Sequence, residues 1–311
     1  MSLRERLPSL VRGFKPGPDT PTYAIITATA SALRANRALA ARVTVAAAAI
    51  GVAPLLLWRA AANYRAWLAL DAGGLPYNPL GYVINAMLRP LARFDTRVPA
   101  PYDRAALEPL YGPEAFVSYL HDGEEGGAAE LPCRAGPRPG VPTFVAPQRQ
   151  TTQGLADGDG AGLRARQVAC LEALARANPD VFKTAPSEAE GRHHGALWLV
   201  DGGAGARGRG RGRGVAGLAW GLRGEFAHPH GEGSAHLVLS LADAETLVAR
   251  GWAERHPLSG GRGLLPWGYV LVYAPRDDDE FALWSRVLLA SARFIAAASG
   301  WRGKVVIPEK M

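Results

Sequence analysis

The sequence predicts an α+β fold, a mostly antiparallel sheet with helices packed on one face, preceded by an N-terminal membrane-anchor helix. Three observations carry that expectation. Strand-like runs follow one another at hairpin spacing between residues 196 and 241. A helix, a further strand and a long closing helix come after them. Near the N-terminus, residues 43–58 (VTVAAAAIGVAPLLLW) hold no charge. Strands joined by short turns pair antiparallel, and helices that follow them have a sheet face to cover.

In chain order, residues 1–42 carry Pro, Gly and scattered arginines without sustained periodicity and read as a mobile N-terminal region. Residues 43–62 form the expected anchor. The uncharged 43–58 segment spans roughly 24 Å as a helix, against a hydrocarbon layer of about 30 Å. Flanking Arg42 and Arg59 can snorkel to the headgroups. A buried alanine-rich helix interrupted by Pro54 is the competing reading. The expectation is a single-pass protein of an endomembrane, of unassigned orientation. Residues 63–110 form a membrane-proximal segment, with Tyr64, Trp67, Tyr77 and Tyr82 suited either to a bilayer edge or to packing beneath the next domain.

Residues 111–311 read as the α+β domain. A helix is expected at 163–177, with Val168, Leu171 and Leu174 on one stripe and Asn178-Pro179 as its stop. Strands are expected at 196–201, 215–222, 224–230, 235–241 and 267–273. Ser240 with Asp243 resembles a capping box for a helix ending near Gly251. Asp277-Asp278-Asp279 places negative charge at the start of a last helix, whose buried stripe includes Phe281, Trp284, Val287, Leu288, Ser291 and Phe294. The Arg-Gly tract at 203–214 reads as a flexible insertion.

With 48% hydrophobic and 20% charged residues in 311, the composition is that of a globular protein. The net charge of +7 falls to +3 without Arg207, Arg209, Arg211 and Arg213 of the Arg-Gly tract, which also lacks the aromatics of a single-strand RNA binder. No nucleic-acid partner is expected. Two cysteines exclude a disulfide scaffold, and no CxxC pair points to zinc. There is no GxSxG elbow, Walker motif or dinucleotide fingerprint, so no organic cofactor is expected.

The chemistry concentrates in EFAHPHGEGSAHLVLSL (225–241) and GWAERHPL (251–258), which hold four of the seven histidines. Period two puts His228 and His230 on one face of a strand, and a turn at 231–234 folds His236 toward them. Three readings compete for His228, His230, His236 and His256. The first three could ligate a divalent metal, although no carboxylate stands at a fixed spacing to complete such a set. They could transfer protons near neutral pH. One or two could be ordinary buried residues. Gln148, Arg149 and Gln150 offer amide and guanidinium donors to an oxygen-rich ligand, or make a polar turn. His193-His194, just ahead of a strand, is a weaker candidate.

Arg138-Pro139, Gln148-Arg149-Gln150-x-Thr152-Gln153, Phe182-Lys183-Thr184, His193-x-x-Ala196-Leu197-Trp198-Leu199, the histidine hairpin, Gly251-Trp252-x-x-Arg255-His256-Pro257-Leu258-x-Gly260 and Tyr273-Ala274-Pro275-Arg276 occur in an order that resembles the fungal luciferase family. The resemblance covers residues 63 to the C-terminus. It implies an O2-dependent oxygenase that needs no organic cofactor and acts on an enolic pyrone such as 3-hydroxyhispidin. In luminous members the substrate forms a cyclic peroxide, loses CO2 and leaves an excited product. Light is one expected outcome here, and oxidation or cleavage of a related polyketide pyrone is another; a non-luminous, membrane-associated ligand-binding protein is the alternative from a different class. The resemblance makes His228, His230, His236 and His256 the base candidates and Arg149, Gln148, Gln150, Arg255, Trp252 and His193 the substrate contacts. It favours a metal-free site over a His228, His230 and His236 metal centre. It also leaves two departures, a short His230 to His236 interval and the Arg-Gly tract.

Overall fold

The computed structural model describes residues 21–98, 100–120, 131–151, 160–192, 194–200, 224–260, 264–309 and 311. Residues 1–20, the Arg-Gly tract, the strand expected at 215–222, and His193 lie outside them. The chain divides into two compact units, Met1–Asn63 and Tyr64–Met311. Helix α1, Pro21–Leu68, fills the described part of the first unit and ends in the second, and it continues through Pro54. Val52, Leu55, Leu56, Leu57 and Trp58 are exposed along it.

In the second unit, α2 (Pro79–Leu88) starts where the Asn78 side chain accepts from the N–H groups of Leu80 and Gly81. Helices α3 (Arg104–Tyr111) and α4 (Gly160–Ala177) follow. The strands are β1 (Phe182–Pro186), β2 (Gly195–Leu199), β3 (Glu225–Pro229) and β4 (Ala235–Val238). After them come α5 (Leu241–Ala249), β5 (Ala253–Arg255), β6 (Tyr269–Val272) and α6 (Asp278–Ala298). The six strands form one sheet in the order β1-β2-β3-β4-β6-β5 with every pair antiparallel.

The strands at 182–186 and 253–255 are not among those expected from sequence. The first lies on an edge that has one neighbour and exposes the consecutive Lys183 and Thr184, and the second is only three residues long. Neither therefore carries a period-two apolar pattern in the sequence. At α5, the Ser240 side chain caps the helix by accepting from Asp243 N–H, as the box predicts, but the Asp243 carboxylate turns away to Ser118 Oγ (2.5 Å) and Tyr119 N–H (2.9 Å). Asp277 caps α6 through Glu280 N–H.

The two faces of the sheet differ in chemistry. On one, Leu197, Ala227, Leu237, Val270 and Val272 join Leu171 and Leu174 of α4, Leu247 of α5 and Val287 and Leu288 of α6 in the main core. Among the residues described with their side chains, α6 is long and apolar enough to cross a membrane, and it is mostly buried in this core. On the other face, cross-strand register aligns His228 with His236, His236 with Leu271, and Leu271 with Glu254. Residues so paired leave the sheet on the same side.

A bulge sets which β3 residues join that row. Leu197 pairs with Ala227 but Trp198 pairs with Glu225, so one residue of β3, Phe226, is extra. Glu225 therefore shares a face with His228, three positions on, while Phe226 enters the main core. The histidine face is roofed by the 64–98 and 131–151 segments. Trp67, Leu70 and Phe144 form a small second core there. Trp67 Nε1 donates to Ala146 O (2.9 Å), and the Asn85 side chain accepts from Val145 N (2.8 Å) and Ala146 N (3.1 Å).

Candidate functional site

The four histidines of the sequence motif converge beneath that roof. Ring centroids lie 5.3 Å apart for His228 and His230, 5.4 Å for His228 and His236, 4.8 Å for His230 and His236, and 5.4 Å for His236 and His256. All four are buried. Tyr269 stacks on His236 at 4.7 Å. The turn that brings His236 back is closed by His230 N–H to Ser234 O (2.7 Å) and needs Gly233 at φ +93°, where a Cβ would meet Leu163 Cδ2 at 2.6 Å.

Three of these rings have the same nitrogen occupied. His228 Nδ1 donates to Glu225 Oε1 at 2.6 Å. His230 Nδ1 faces Ser234 Oγ at 2.9 Å, and because that hydroxyl donates to Glu232, it accepts from the ring. His236 Nδ1 faces the Val270 carbonyl, which can only accept, at 3.3 Å. An Nδ1–H in each case leaves Nε2 with its lone pair whenever the ring is neutral. His256 is the exception. Its Nδ1 accepts from Leu258 N–H at 3.0 Å, so the neutral ring carries its proton on Nε2 and acts as a donor there.

Glu190, in the turn joining β1 to β2, closes the group. Its Oε1 lies 3.7 Å from His228 Nε2 and 3.8 Å from His230 Nε2, and both nitrogens are buried without a hydrogen-bond partner. Arg149 pairs with Glu190 and donates from Nε to Leu70 O (2.9 Å) and from Nη2 to Ala72 O (2.9 Å), while its buried Nη1 has no partner. Glu225 anchors the Glu190 turn from below, accepting from Ser187 Oγ (2.5 Å), Glu188 N (2.8 Å) and Ala189 N (3.2 Å).

This packing separates the protonation states. Burial works against charge on His228, but the carboxylates of Glu190 and Glu225 overcome it and push the ring up to about 9. Burial alone would raise Glu190, yet His228, His230 and Arg149 hold it well below the ordinary carboxylate range. His230 is lowered by burial and then by Arg149, and His236 by burial and then by its imidazole neighbours. His256 falls to about 3, chiefly through burial. At neutral pH the metal-free cluster therefore holds one imidazolium, His228, among three neutral rings.

The remaining sequence candidates are dispersed. Gln148 donates to Glu254 Oε1 (3.2 Å) and Arg255 O (3.1 Å) and keeps a buried, unpartnered Oε1. It lines a cleft of about 440 Å³ with Phe94, Thr96, Phe144, Glu254 and Pro257. Gln150 Oε1 accepts from Ala274 N–H (2.9 Å), tying the roof to the end of β6. Arg255 grips the carbonyls of Val98 and Asp95, and Trp252 sits in the main core with Nε1 on Pro132 O (2.7 Å). His194 bonds Arg164 at 2.8 Å, 6.5 Å from the His230 ring.

Sequence reasoning missed Glu190, Glu225, Glu254 and Tyr269. Glu225 stands in the quoted motif, but plain alternation would turn it to the other face from His228. Glu190 carries no local signal, since only the β1–β2 hairpin brings it to the histidines.

Residues 223–291 match the Luciferase domain family, a span that runs from β3 into α6 and contains all four histidines. A luciferase of Armillaria ostoyae is 27% identical over 263 residues, covering 84% of this chain and 89% of the relative. Over most of its length this chain is similar to fungal luciferases. A Neonothopanus nambi luciferase is 26% identical over 242 residues (75% of this chain, 80% of the relative), and an Armillaria gallica luciferase 35% over 74 residues (23% and 28%). No solved structure matches the luciferase-like chain.

Proposed function

We propose that this luciferase-like chain is an oxygenase that needs no organic cofactor and adds O2 to an electron-rich enol of the hydroxypyrone class, 3-hydroxyhispidin or a related polyketide. The observation that carries the reading is the buried convergence of four imidazoles with Arg149 on the sheet face that also walls the cleft. Glu254 of the cleft and His236 of the cluster flank Leu271 in one cross-strand row, two strand spacings or roughly 10 Å apart. A cleft of about 440 Å³ is in the range of small-molecule sites.

The reaction needs three things. The enol must lose a proton, and at neutral pH the rings whose Nε2 is unprotonated are the depressed His230 and His236. The enolate then meets the positive charge of Arg149 and of the His228 imidazolium. O2 accepts the electron pair of the enolate carbon, the peroxide closes on the neighbouring lactone carbonyl and expels the ring oxygen as an enolate, and loss of CO2 with O–O cleavage places one O2 atom in the CO2 and the other in the carboxyl product. Burial keeps water from hydrolysing the peroxide first. The exposed apolar residues 52–58 of α1 support a further proposal, that this helix holds the chain at a membrane from which an apolar pyrone is drawn.

The test is O2 consumption, with CO2 or light recorded in parallel, when purified protein meets 3-hydroxyhispidin and a panel of hydroxypyrones. No turnover with any of them would leave the non-catalytic, ligand-binding reading.

A further inference from the structure

The geometry points to a binding site for one divalent first-row transition ion formed by Glu190, His228, His230 and His236. Each of the four offers a ligand atom, and these atoms all lie within 4.8 Å of one another. Nε2 and carboxylate oxygens bound at about 2.0–2.2 Å stand at most about 4.4 Å apart, so the widest pair has only a few tenths of an ångström to close around a shared ion. His228 and His230 are 1% and 0% exposed, and the Nε2 of each has no protein partner. A buried polar atom left unpaired costs about 1–3 kcal/mol, so two in one pocket, both facing one carboxylate oxygen, call for an occupant.

The outer contacts agree. Metal-bound imidazoles characteristically give their second nitrogen to a carboxylate, carbonyl or hydroxyl, which fixes the tautomer. Here His228 gives Nδ1 to Glu225, His230 to Ser234 and His236 to the Val270 carbonyl. His256, whose Nδ1 accepts instead, is not in the set. Three imidazoles with one carboxylate and no thiolate suit Fe2+, Mn2+, Co2+ or Zn2+ better than Ca2+ or Mg2+. The site stands on its own geometry; only its use in catalysis rests on the oxygenase reading. With an ion bound, the lone pairs of His230 and His236 would be taken, and the ion would supply as a Lewis acid the acidification that those rings otherwise provide.

The full-length protein, stripped by chelation, is titrated with Mn2+, Co2+ and Zn2+, and with Fe2+ under anaerobic conditions. One ion per chain should survive gel filtration, and the melting temperature should rise with ion concentration. The Co2+ form should show three solvent-exchangeable, paramagnetically shifted proton resonances, one for each Nδ1–H; this readout needs no variant. His230→Gln and Glu190→Gln, checked for folding by circular dichroism, should weaken binding by more than the roughly 10- to 100-fold that loss of a supporting partner costs. No retained ion in folded protein, or unchanged binding in both variants, would overturn the site. Pyrone turnover by ion-free protein would overturn its catalytic use while upholding the oxygenase reading; ion uptake with no pyrone turnover would uphold the site and overturn the oxygenase reading together with that use.

Discussion

Replacing Glu225 by Gln tests the support beneath the site without changing its volume. The carboxylate accepts from His228 Nδ1 (2.6 Å), Ser187 Oγ (2.5 Å), Glu188 N (2.8 Å) and Ala189 N (3.2 Å). A carboxamide has one accepting oxygen, so it can keep either the two backbone donors or the ring and hydroxyl. With the backbone pair kept, two charge-assisted contacts are lost at about 1.5–3 kcal/mol each, partly recovered as the Ser187 hydroxyl rotates to accept. The net loss expected in urea denaturation is about 3 kcal/mol. The amide also presents an N–H to His228 Nδ1, which drives the ring proton onto Nε2. A pH series separates this from a general loss of packing. In chelated wild-type protein His228 titrates near 9 instead of 6.5, so its stabilising contribution is complete below pH 6.5 and is lost as pH rises through 9. Integrated over that window the loss is about 3 kcal/mol. Glu225→Gln should flatten this alkaline decline. A variant within about 0.5 kcal/mol of wild type, with the decline intact, would refute the assignment of Glu225 as the partner that charges His228.

Three further outcomes follow from the same contacts. The unfolded chain protonates near pH 6.5 while folded His230, His236 and His256 resist, so chelated protein should lose stability as pH falls from 6.5 toward 4, by about 1.4 kcal/mol per pH unit for each imidazole, read by denaturation at stepped pH; a flat profile would mean that the rings are charged or solvated. Trp252→Phe removes the Nε1 bond to Pro132 O and some core volume, and should cost about 1–3 kcal/mol of stability while pyrone turnover stays at the wild-type level; a selective rise in KM would make Trp252 a substrate contact. Carbonate extraction should retain the full chain in the membrane fraction and release a chain beginning at Asn63; release of both would reject α1 as an anchor.

The histidine cluster was legible because its determinants are local. Two residues of one strand and one across a four-residue turn obey period two, and the register His228 opposite His236 is what that turn gives. The apolar runs at β2, β4 and β6, the α4 stripe and the Asp277 cap carry their patterns within a few residues for the same reason. Glu190 and Arg149 were hidden by distance along the chain. Their pairing depends on the β1–β2 hairpin and on carbonyls at Leu70 and Ala72, which no local pattern encodes. Arg149 was singled out for its donors, but not the fact that most of them would be spent holding the roof. Arg255, Trp252 and Gln150 share one motif-bearing neighbourhood with the histidines, yet strand alternation and loop direction send their side chains to structural partners.

The extra residue at Phe226 makes the site depend on a bulge rather than on a fixed residue count. From Glu225 to Ala227 the chain spends three residues on two positions of the sheet. Ironing out the bulge at unchanged length would turn either the carboxylate or the imidazole into the apolar layer. Deleting Phe226 would instead restore strict alternation with Glu225 and His228 still on one face and Ala227 on the other, at the cost of the ring that Phe226 places in the core. Exchanges such as Phe226→Leu should pass with a modest packing penalty. Among relatives, the interval from the glutamate to the histidine is therefore expected to be three with a bulge or two without one.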